Sequence, residues 1–340
     1  MTKKTALVVA PGRGTYNKED LGYFKRHHAD KMALVEEFDR LRRTLGQKPI
    51  VDLDGAARFS NAEFSRGDNA SGLIYACAYA DFLAIDREKI DIVAVTGNSM
   101  GWYIALACGG AVSAQDGFRT VNTMGALMQE ALIGGQMLYP FVDANWRMDE
   151  DRRAALFDLI DDIPGLHLSI NLGGMIVFGG DEAALTAAEA RLEPIDGRFP
   201  MRLKNHAAFH TELQRPISIQ GQSALADLTM GQPTTPLVDG RGHVWYPFAS
   251  DAQALWRYTL GHQVVEPYDF TAAIRSGVRE FAPDMVIILG PGSTLGGAVA
   301  QSLIAEKWRG VDSKTTFQRR QAEDPIIASM GMDAQRKLVI

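Results

Sequence analysis

Short apolar runs that end at glycine or proline predict three buried strands spread along the chain. They are Thr5–Ala10 before Pro11-Gly12-Arg13-Gly14, Ile90–Val95 before Gly97-Asn98-Ser99-Met100-Gly101, and Met285–Leu289 before Gly290-Pro291-Gly292. Apolar residues at helical spacing predict helices over 29–45, 72–85, 114–131, 212–227 and 251–261, and others after Trp102 and Gly292. Alternating strands and helices predict an α/β fold with a parallel sheet, here an α/β-hydrolase-like core.

The segment from 132 to 204 has a different pattern. A strand-like stretch precedes an acidic helix over 149–162, strands at His167–Asn171 and Met175–Gly179, a helix at Glu182–Leu192 and a strand near Arg198–Lys204. This βαββαβ order is typical of a ferredoxin-like module. We therefore expect a small ferredoxin-like subdomain at 132–204, inserted into a large domain formed by 1–131 and 205–340. The polar character of roughly the last 20 residues predicts a surface tail.

Composition narrows the class of protein. The chain has 340 residues, a net charge of −6 and two cysteines, Cys77 and Cys108, which lie in apolar segments. A negative net charge argues against a nucleic-acid partner, because surfaces that bind nucleic acids are usually basic. No stretch approaches the about 20 apolar residues of a membrane span, and the first apolar run is too short for a secretory signal. We expect a cytoplasmic protein with buried, free thiols and no membrane or nucleic-acid partner.

The pentapeptide Gly97-Asn98-Ser99-Met100-Gly101 lies between a predicted strand and a predicted helix. In a Gly-x-Ser-x-Gly turn at such a junction, the serine is held in a sharp bend with its hydroxyl exposed. The main-chain N–H of Met100, at the start of the helix, can then donate to a developing oxyanion. This setting predicts that Ser99 is a nucleophile.

A nucleophilic serine needs a base, and the chain has seven histidines. His27 and His28 lie in a charged segment and are predicted to be solvated. His206 and His210 fall within Asn205-His206-Ala207-Ala208-Phe209-His210-Thr211, where the chain returns to the large domain. Clefts between domains are preferred places for binding sites, so this segment is the best candidate to supply the base.

Taken together, these motifs resemble those of the malonyl-CoA:acyl carrier protein transacylases and the acyltransferase domains of polyketide synthases. The early Pro-Gly-x-Gly loop, the nucleophile motif, Ala207-Ala208-Phe209-His210-Thr211 and the late Gly290-Pro291-Gly292 follow in the family's order. Asn171 stands in the family's Asn-containing turn. Gln263, in Gln263-Val264-Val265-Glu266-Pro267, matches the family's glutamine ahead of an Asn-Pro-like turn. The resemblance extends over nearly the whole chain.

The resemblance implies a Ser–His dyad without a carboxylate. Ser99 would attack an acyl-CoA thioester, His210 would be the base, and a main-chain carbonyl near Gln263 would orient His210. The N–H groups of Met100 and Arg13 would form the oxyanion hole. The acyl group would pass by a ping-pong route to the thiol of a phosphopantetheinylated acyl carrier protein, with no metal or redox cofactor.

Several positions depart from the family's pattern. Arg13 and Ser71 replace glutamines, Asn98 replaces a histidine, and Met124 replaces the arginine that pairs with the malonyl carboxylate. A buried carboxylate without a cation is costly, so Met124 favours a non-malonyl acyl group. The Phe209-His210 pairing, however, resembles the malonyl-type signature, and the Arg13 side chain could supply the missing positive charge. We expect Asn98, Met124, Phe209, Asn171 and Ser71 to line the substrate pocket.

Two other functions stay open at this level. The same scaffold could hydrolyse acyl thioesters or esters, with water in place of the acceptor thiol, because the exclusion of water decides that outcome. The replacement of these family residues would also be consistent with a non-catalytic subunit that docks a carrier protein, although the presence of Ser99 and His210 argues against it.

Overall fold

The computed structural model describes residues 3–340 and contains two sheets surrounded by helices. The strands are β1 (Lys4–Ala10), β2 (Ile90–Gly97), β3 (Gly135–Pro140), β4 (Leu166–Leu172), β5 (Met175–Gly180), β6 (Met201–Leu203), β7 (Leu237–Val238), β8 (Val244–Trp245), β9 (Tyr268–Asp269), β10 (Met285–Ile288) and β11 (Ile327–Ser329).

The first eight helices lie between β1 and β4. They are α1 (Tyr23–His28), α2 (Met32–Thr44), α3 (Ile50–Asp54), α4 (Asn61–Phe64), α5 (Gly67–Ala84), α6 (Gly101–Cys108), α7 (Ala114–Ala131) and α8 (Glu150–Asp162). The later helices are α9 (Glu182–Arg191), α10 (Arg215–Ala224), α11 (Ala252–Arg257), α12 (Gln263–Val265), α13 (Phe270–Phe281), α14 (Leu295–Ala305), α15 (Lys314–Glu323) and α16 (Asp333–Arg336). None of the helices of residues 3–340 has both the length and the apolar character needed to cross a membrane.

The first sheet has the strand order β11-β10-β1-β2-β7-β8, and all its pairs are parallel except β7 with β8. Its central strand β1 is apolar without alternation because both faces of the sheet are covered, and residues 6–10 are fully buried. The prediction of an α/β fold with a parallel sheet is therefore confirmed. Cys77 and Cys108 are buried and free, as expected.

The second sheet has the order β6-β3-β5-β4-β9. Strands β3 to β6 are antiparallel and carry α8 and α9 between them, whereas β9 joins β4 in parallel from beyond residue 204. Side chains alternate across this sheet: Phe178 packs in a small core with α8 and α9, and Val177 on the opposite face belongs to the main core. Through β9 the sheet extends past the expected boundary at 204, and the domain limits stay a prediction.

The expectation of a surface tail at the C-terminus is wrong. Residues 327–329 form the edge strand β11, which pairs with β10, and Met330 and Val339 are fully buried. The expectation that His28 is solvated is also wrong, since its Nε2 lies 2.7 Å from a carboxylate oxygen of buried Asp81. The same carboxylate pairs with Arg336. Local polarity misleads here because polar residues can be buried when they pair with one another.

Candidate active site

Ser99 lies in the bend between β2 and α6 with a φ of +56°, in the left-handed region that few non-glycine residues adopt. The two flanking glycines are required by space. A Cβ on Gly97 would overlap the main-chain carbonyl of Gly101, and a Cβ on Gly101 would overlap the carbonyl oxygen of Ala10. The bend therefore closes only because neither position carries a side chain, and it holds Ser99 at the carboxyl end of β2.

His210 approaches Ser99 from the loop that follows β6. Its Nε2 lies 2.7 Å from Ser99 Oγ, and its Nδ1 lies 2.6 Å from the main-chain carbonyl oxygen of Gln263. A carbonyl only accepts, so Nδ1 carries the proton and Nε2 is free to accept the hydroxyl proton of Ser99. His210 also has a positive φ, +58°, and its N–H donates to the carbonyl of Val264 at 3.1 Å.

Burial lowers the pKa of His210 to about 4, although the hydrogen bond to the Gln263 carbonyl acts in the opposite direction. The partner of Nδ1 is a carbonyl rather than a carboxylate, so this hydrogen bond brings no full negative charge to a protonated ring. The imidazole is therefore neutral near pH 7, which is the form that a general base requires.

Gln263 contacts both residues of the pair, His210 through its main-chain carbonyl and Ser99 through its side chain. Its Nε2 donates to the main-chain oxygen of Ser99 at 3.1 Å, and its Oε1 accepts from the hydroxyl of Tyr103 at 3.1 Å. The hydroxyl of Tyr268 donates to the carbonyl of Gly97 at 2.6 Å. These three side chains fix the main chain on both sides of the serine. Tyr103 and Tyr268 were not found from the sequence, where neither carries a motif signal.

Two main-chain N–H groups next to Ser99 are available to a ligand. Within residues 3–340, the N–H of Met100 and the N–H of Arg13 donate to no protein acceptor. Met100 directly precedes α6, so the positive end of that helix adds to its N–H. Both residues line the space beside Ser99 and His210. This arrangement has the form of an oxyanion hole.

Two spaces of very different size meet at Ser99. One, of about 20 Å³, has room for little more than one water molecule and is bordered by Ser71, Met124 and Phe209. The other is a cleft of about 610 Å³ between the two sheets, lined by Asn98, Phe209 and apolar side chains of the second sheet. Met124 is almost fully buried. The side of the site where Met124 lies is therefore nearly filled.

The Arg13 side chain crosses the site, with its guanidinium carbon 5.4 Å from the centre of the Phe209 ring. Its Nη2 donates to the carbonyl oxygens of Ser65, at 2.7 Å, and Asn205, at 3.0 Å. Its Nε is buried and, within residues 3–340, has no hydrogen-bond partner. Burial lowers the pKa of Arg13 to about 10, and the nearby charge of Asp68 acts against this. Arg13 thus stays cationic near neutral pH.

The structure brings most of the predicted pocket residues to Ser99, but not Asn171. Ile170 and Leu172, on either side of it in β4, line the cleft, whereas Asn171 points to the other face of the strand. Its Nδ2 donates to Asp269 at 3.1 Å, beside the pairing of β4 with β9. The prediction that Asn171 lines the pocket is therefore wrong, because side chains alternate along a strand.

A hydrogen-bonded chain that the sequence did not reveal runs behind the Phe209–His210 peptide. Ser169 Oγ donates to the carbonyl of Phe209 at 2.6 Å, Gln136 Nε2 donates to Ser169 Oγ at 2.6 Å, and Gln136 Oε1 lies 2.9 Å from His206 Nδ1. The chain joins residues from β3, β4 and the loop after β6. No local signal marks Gln136 or Ser169, because their partners are distant in sequence.

Comparison with known proteins supports the resemblance seen in the motifs. No protein-family model matches the chain. The chain is 25% identical to the malonyl CoA-acyl carrier protein transacylase of Haemophilus influenzae, over 87% of this chain and 91% of that protein. It is 24% identical to part of the phenolphthiocerol/phthiocerol polyketide synthase of Mycobacterium tuberculosis, over 95% of this chain. The chain spans about a fifth of the length of that synthase polypeptide.

Solved structures share the fold over the full length. The malonyl-CoA:acyl carrier protein transacylase of Synechocystis superposes with a TM-score of 0.75 at 17% identity, over 99% of this chain and 100% of that one. A malonyl-transacylase solved in complex with a type II polyketide synthase acyl-carrier protein superposes with a TM-score of 0.71 at 19% identity, over 98% of both chains. The predicted resemblance to transacylases and polyketide synthases is confirmed.

Proposed function

Because this fold is that of malonyl-CoA:acyl carrier protein transacylases, we propose that the chain is an acyl carrier protein S-acyltransferase. The observation that carries the proposal is the 2.7 Å contact between Ser99 Oγ and His210 Nε2, in a bend with two free N–H groups beside it. An acyl-CoA is the donor, and the thiol of a phosphopantetheinylated carrier protein is the acceptor.

The first half-reaction acylates Ser99. The neutral Nε2 of His210 takes the hydroxyl proton as Ser99 Oγ bonds to the thioester carbon, and the carbonyl oxygen becomes an oxyanion held by the N–H groups of Met100 and Arg13. The carbon–sulfur bond then breaks, and the His210 imidazolium returns its proton to the departing CoA thiolate. The Gln263 carbonyl, which accepts from Nδ1–H, stabilises the charged ring in between.

The second half-reaction reverses these roles. His210 takes the proton of the pantetheine thiol, the sulfur attacks the acyl carbon of acyl-Ser99, and the serine leaves with the proton from His210. The cleft of about 610 Å³ that ends at Ser99 has room for a pantetheine arm. The proposal requires no metal or redox group, since proton transfer and oxyanion binding are supplied by Ser99, His210 and main-chain groups.

We further propose that the acyl group carries no carboxylate. The small space beside Met124 has room for little more than a water molecule, and Met124 offers no charge. Arg13 is a poor replacement for a carboxylate clamp. Both bidentate forks of a guanidinium include Nη2, and Nη2 of Arg13 already donates both protons to the carbonyls of Ser65 and Asn205. Only single hydrogen bonds from Nε and Nη1 remain.

The test is mass spectrometry of the intact protein after brief exposure to acetyl-, butyryl-, octanoyl-, malonyl- and methylmalonyl-CoA. We expect an acyl adduct that maps to Ser99, forms faster from the uncharged donors and is absent in Ser99→Ala. Addition of a phosphopantetheinylated carrier protein should move the adduct to the carrier. Loss of the adduct without carrier loading would favour a hydrolase. No adduct from any donor would contradict both enzyme functions and favour the docking subunit.

A further inference from the structure

The hydrogen-bonded chain behind Phe209 determines which nitrogen of His206 carries the proton. The Phe209 carbonyl only accepts, so Ser169 uses its single proton there and must accept from Gln136. This places the amide nitrogen of Gln136 at Ser169 and its Oε1 at His206. Nδ1 of His206, 2.9 Å away, is therefore the donor. The lone pair of the neutral ring is on Nε2.

His206 Nε2 is an acceptor without a protein donor, within residues 3–340, on a ring that lines the cleft leading to Ser99. Burial, and to a smaller extent the charge of Arg13, lowers the pKa of His206 to about 3, so the ring stays neutral at working pH. A neutral acceptor in this position is suited to a ligand with an N–H or O–H group.

A donor lies on the same side of the cleft. The His206 ring centre is 5.7 Å from that of Phe209, and the guanidinium carbon of Arg13 is 5.4 Å from the same ring. Arg13 Nη2 bonds to the carbonyl of Asn205, the residue before His206, while its Nη1 makes no hydrogen bond within residues 3–340 and, unlike Nε, is not fully buried. The pair thus presents one acceptor and one donor group around Phe209, which is next to the base His210.

We infer that His206 and Arg13 bind one amide of the phosphopantetheine arm, with His206 Nε2 accepting from the amide N–H and Arg13 Nη1 donating to its carbonyl. This inference rests on the proposed function. An amide has both groups and no charge, which matches one acceptor and one donor. CoA and the carrier protein have the same arm, so a single subsite serves both half-reactions and holds each thioester or thiol over Ser99.

Two substitutions of His206 separate this role from a structural one. The amide of asparagine occupies the place of Nδ1, and that of glutamine can reach the place of Nε2. His206→Asn keeps the bond to Gln136 but removes the acceptor in the cleft, whereas His206→Gln keeps an acceptor in the cleft. A structural role predicts that His206→Asn is the milder change, and a binding role predicts that His206→Gln is.

The experiment measures kcat/KM for acylation of Ser99 by two thioesters of the same acyl group, one with N-acetylcysteamine and one with ethanethiol, which has no amide. The ratio of interest is kcat/KM for the N-acetylcysteamine thioester divided by kcat/KM for the ethanethiol thioester. We expect this ratio to fall about three- to tenfold in His206→Asn, which corresponds to the loss of one neutral hydrogen bond. In His206→Gln it should stay within about twofold of the wild-type ratio. Thermal melting of each variant checks that it folds.

If neither variant folds, the inference can be tested on the wild-type protein with a modified substrate. N-methylation of the amide in the N-acetylcysteamine thioester removes the donor, and we expect it to lower kcat/KM about three- to tenfold, to a value still above that of the ethanethiol thioester because the amide carbonyl still accepts from Arg13. The inference would be overturned if His206→Asn affected both thioesters equally, or if His206→Asn were milder than His206→Gln. It would also be overturned if N-methylation had no effect on kcat/KM. The inference would also be overturned if His206→Asn lowered kcat/KM for hydroxyacyl donors more than for the matching acyl donors. That result would mean that His206 accepts from a hydroxyl of the acyl group. Absence of acyl-Ser99 with every donor would instead contradict the proposed function.

Discussion

The Nδ1–H of His210 donates to the main-chain carbonyl of Gln263 at 2.6 Å, and the side chain of the same glutamine donates to the carbonyl of Ser99 at 3.1 Å. One residue therefore orients the imidazole of His210 and holds the main chain of Ser99. A carbonyl in place of a carboxylate orients the ring equally well but does not raise its pKa as a charge would. The consequence is an imidazole that stays neutral in mild acid.

Because burial lowers the pKa of His210 to about 4, the neutral base persists as the pH falls below 6.5, where an ordinary histidine would become protonated. The rate constant for acylation of Ser99 should be nearly constant between about pH 5 and 7 and should fall only below about pH 5. Single-turnover labelling across this range measures it. An acid limb centred near pH 6.5 would show that the site is more solvated than the structure indicates.

The proposal of an uncharged acyl group depends on Met124. Met124→Arg places a guanidinium beside Ser71 and Phe209, where Arg can form a bidentate pair with a carboxylate. We expect the rate of Ser99 labelling by malonyl-CoA relative to acetyl-CoA to rise about tenfold or more. Met124→Leu, of similar volume and no charge, is the matched control and should leave the ratio unchanged. A wild-type preference for malonyl-CoA that Met124→Arg does not alter would place the cation elsewhere.

The bend at Ser99 depends on Gly97. In Gly97→Ala the new Cβ would overlap the main chain of Gly101, so the bend must open. We expect loss of Ser99 labelling and a decrease in the free energy of unfolding of at least about 2 kcal/mol, measured by urea denaturation. In Gly296→Ala, within α14, the Cβ meets no atom within 4 Å. That control should be neutral or slightly stabilising, since alanine favours helix.

The C-terminal segment is held by the buried pair of Arg336 with Asp81. Arg336→Met leaves the buried Asp81 carboxylate without its arginine partner, and we expect the free energy of unfolding to decrease by about 3–5 kcal/mol. The matched control is Arg320→Met, which breaks an exposed pair with Asp324 and should cost about 0–1 kcal/mol. Comparable decreases in the free energy of unfolding of the two variants would mean that the pair of Arg336 with Asp81 is hydrated.

The sequence was most informative where structure is local. The apolar runs of β1, β2 and β10 and the glycines around Ser99 were recognisable because a buried parallel strand and a sharp bend each impose their residue types within a few positions. Local pattern was misleading at the C-terminus and at Asn171. There, pairing with distant Asp81 and the alternation of side chains in β4 determine what is buried and what faces the cleft.

The sequence by itself determined the class of fold and the bend that holds Ser99, because hydrophobic period and glycine spacing are properties of consecutive residues. Only the tertiary structure decided the rest. It placed His210 against Ser99, closed the space beside Met124, committed both Nη2 protons of Arg13 to carbonyls and oriented His206 through Gln136 and Ser169. Hydrogen bonds of this kind join residues from separate elements, and their geometry follows from packing rather than from any one segment.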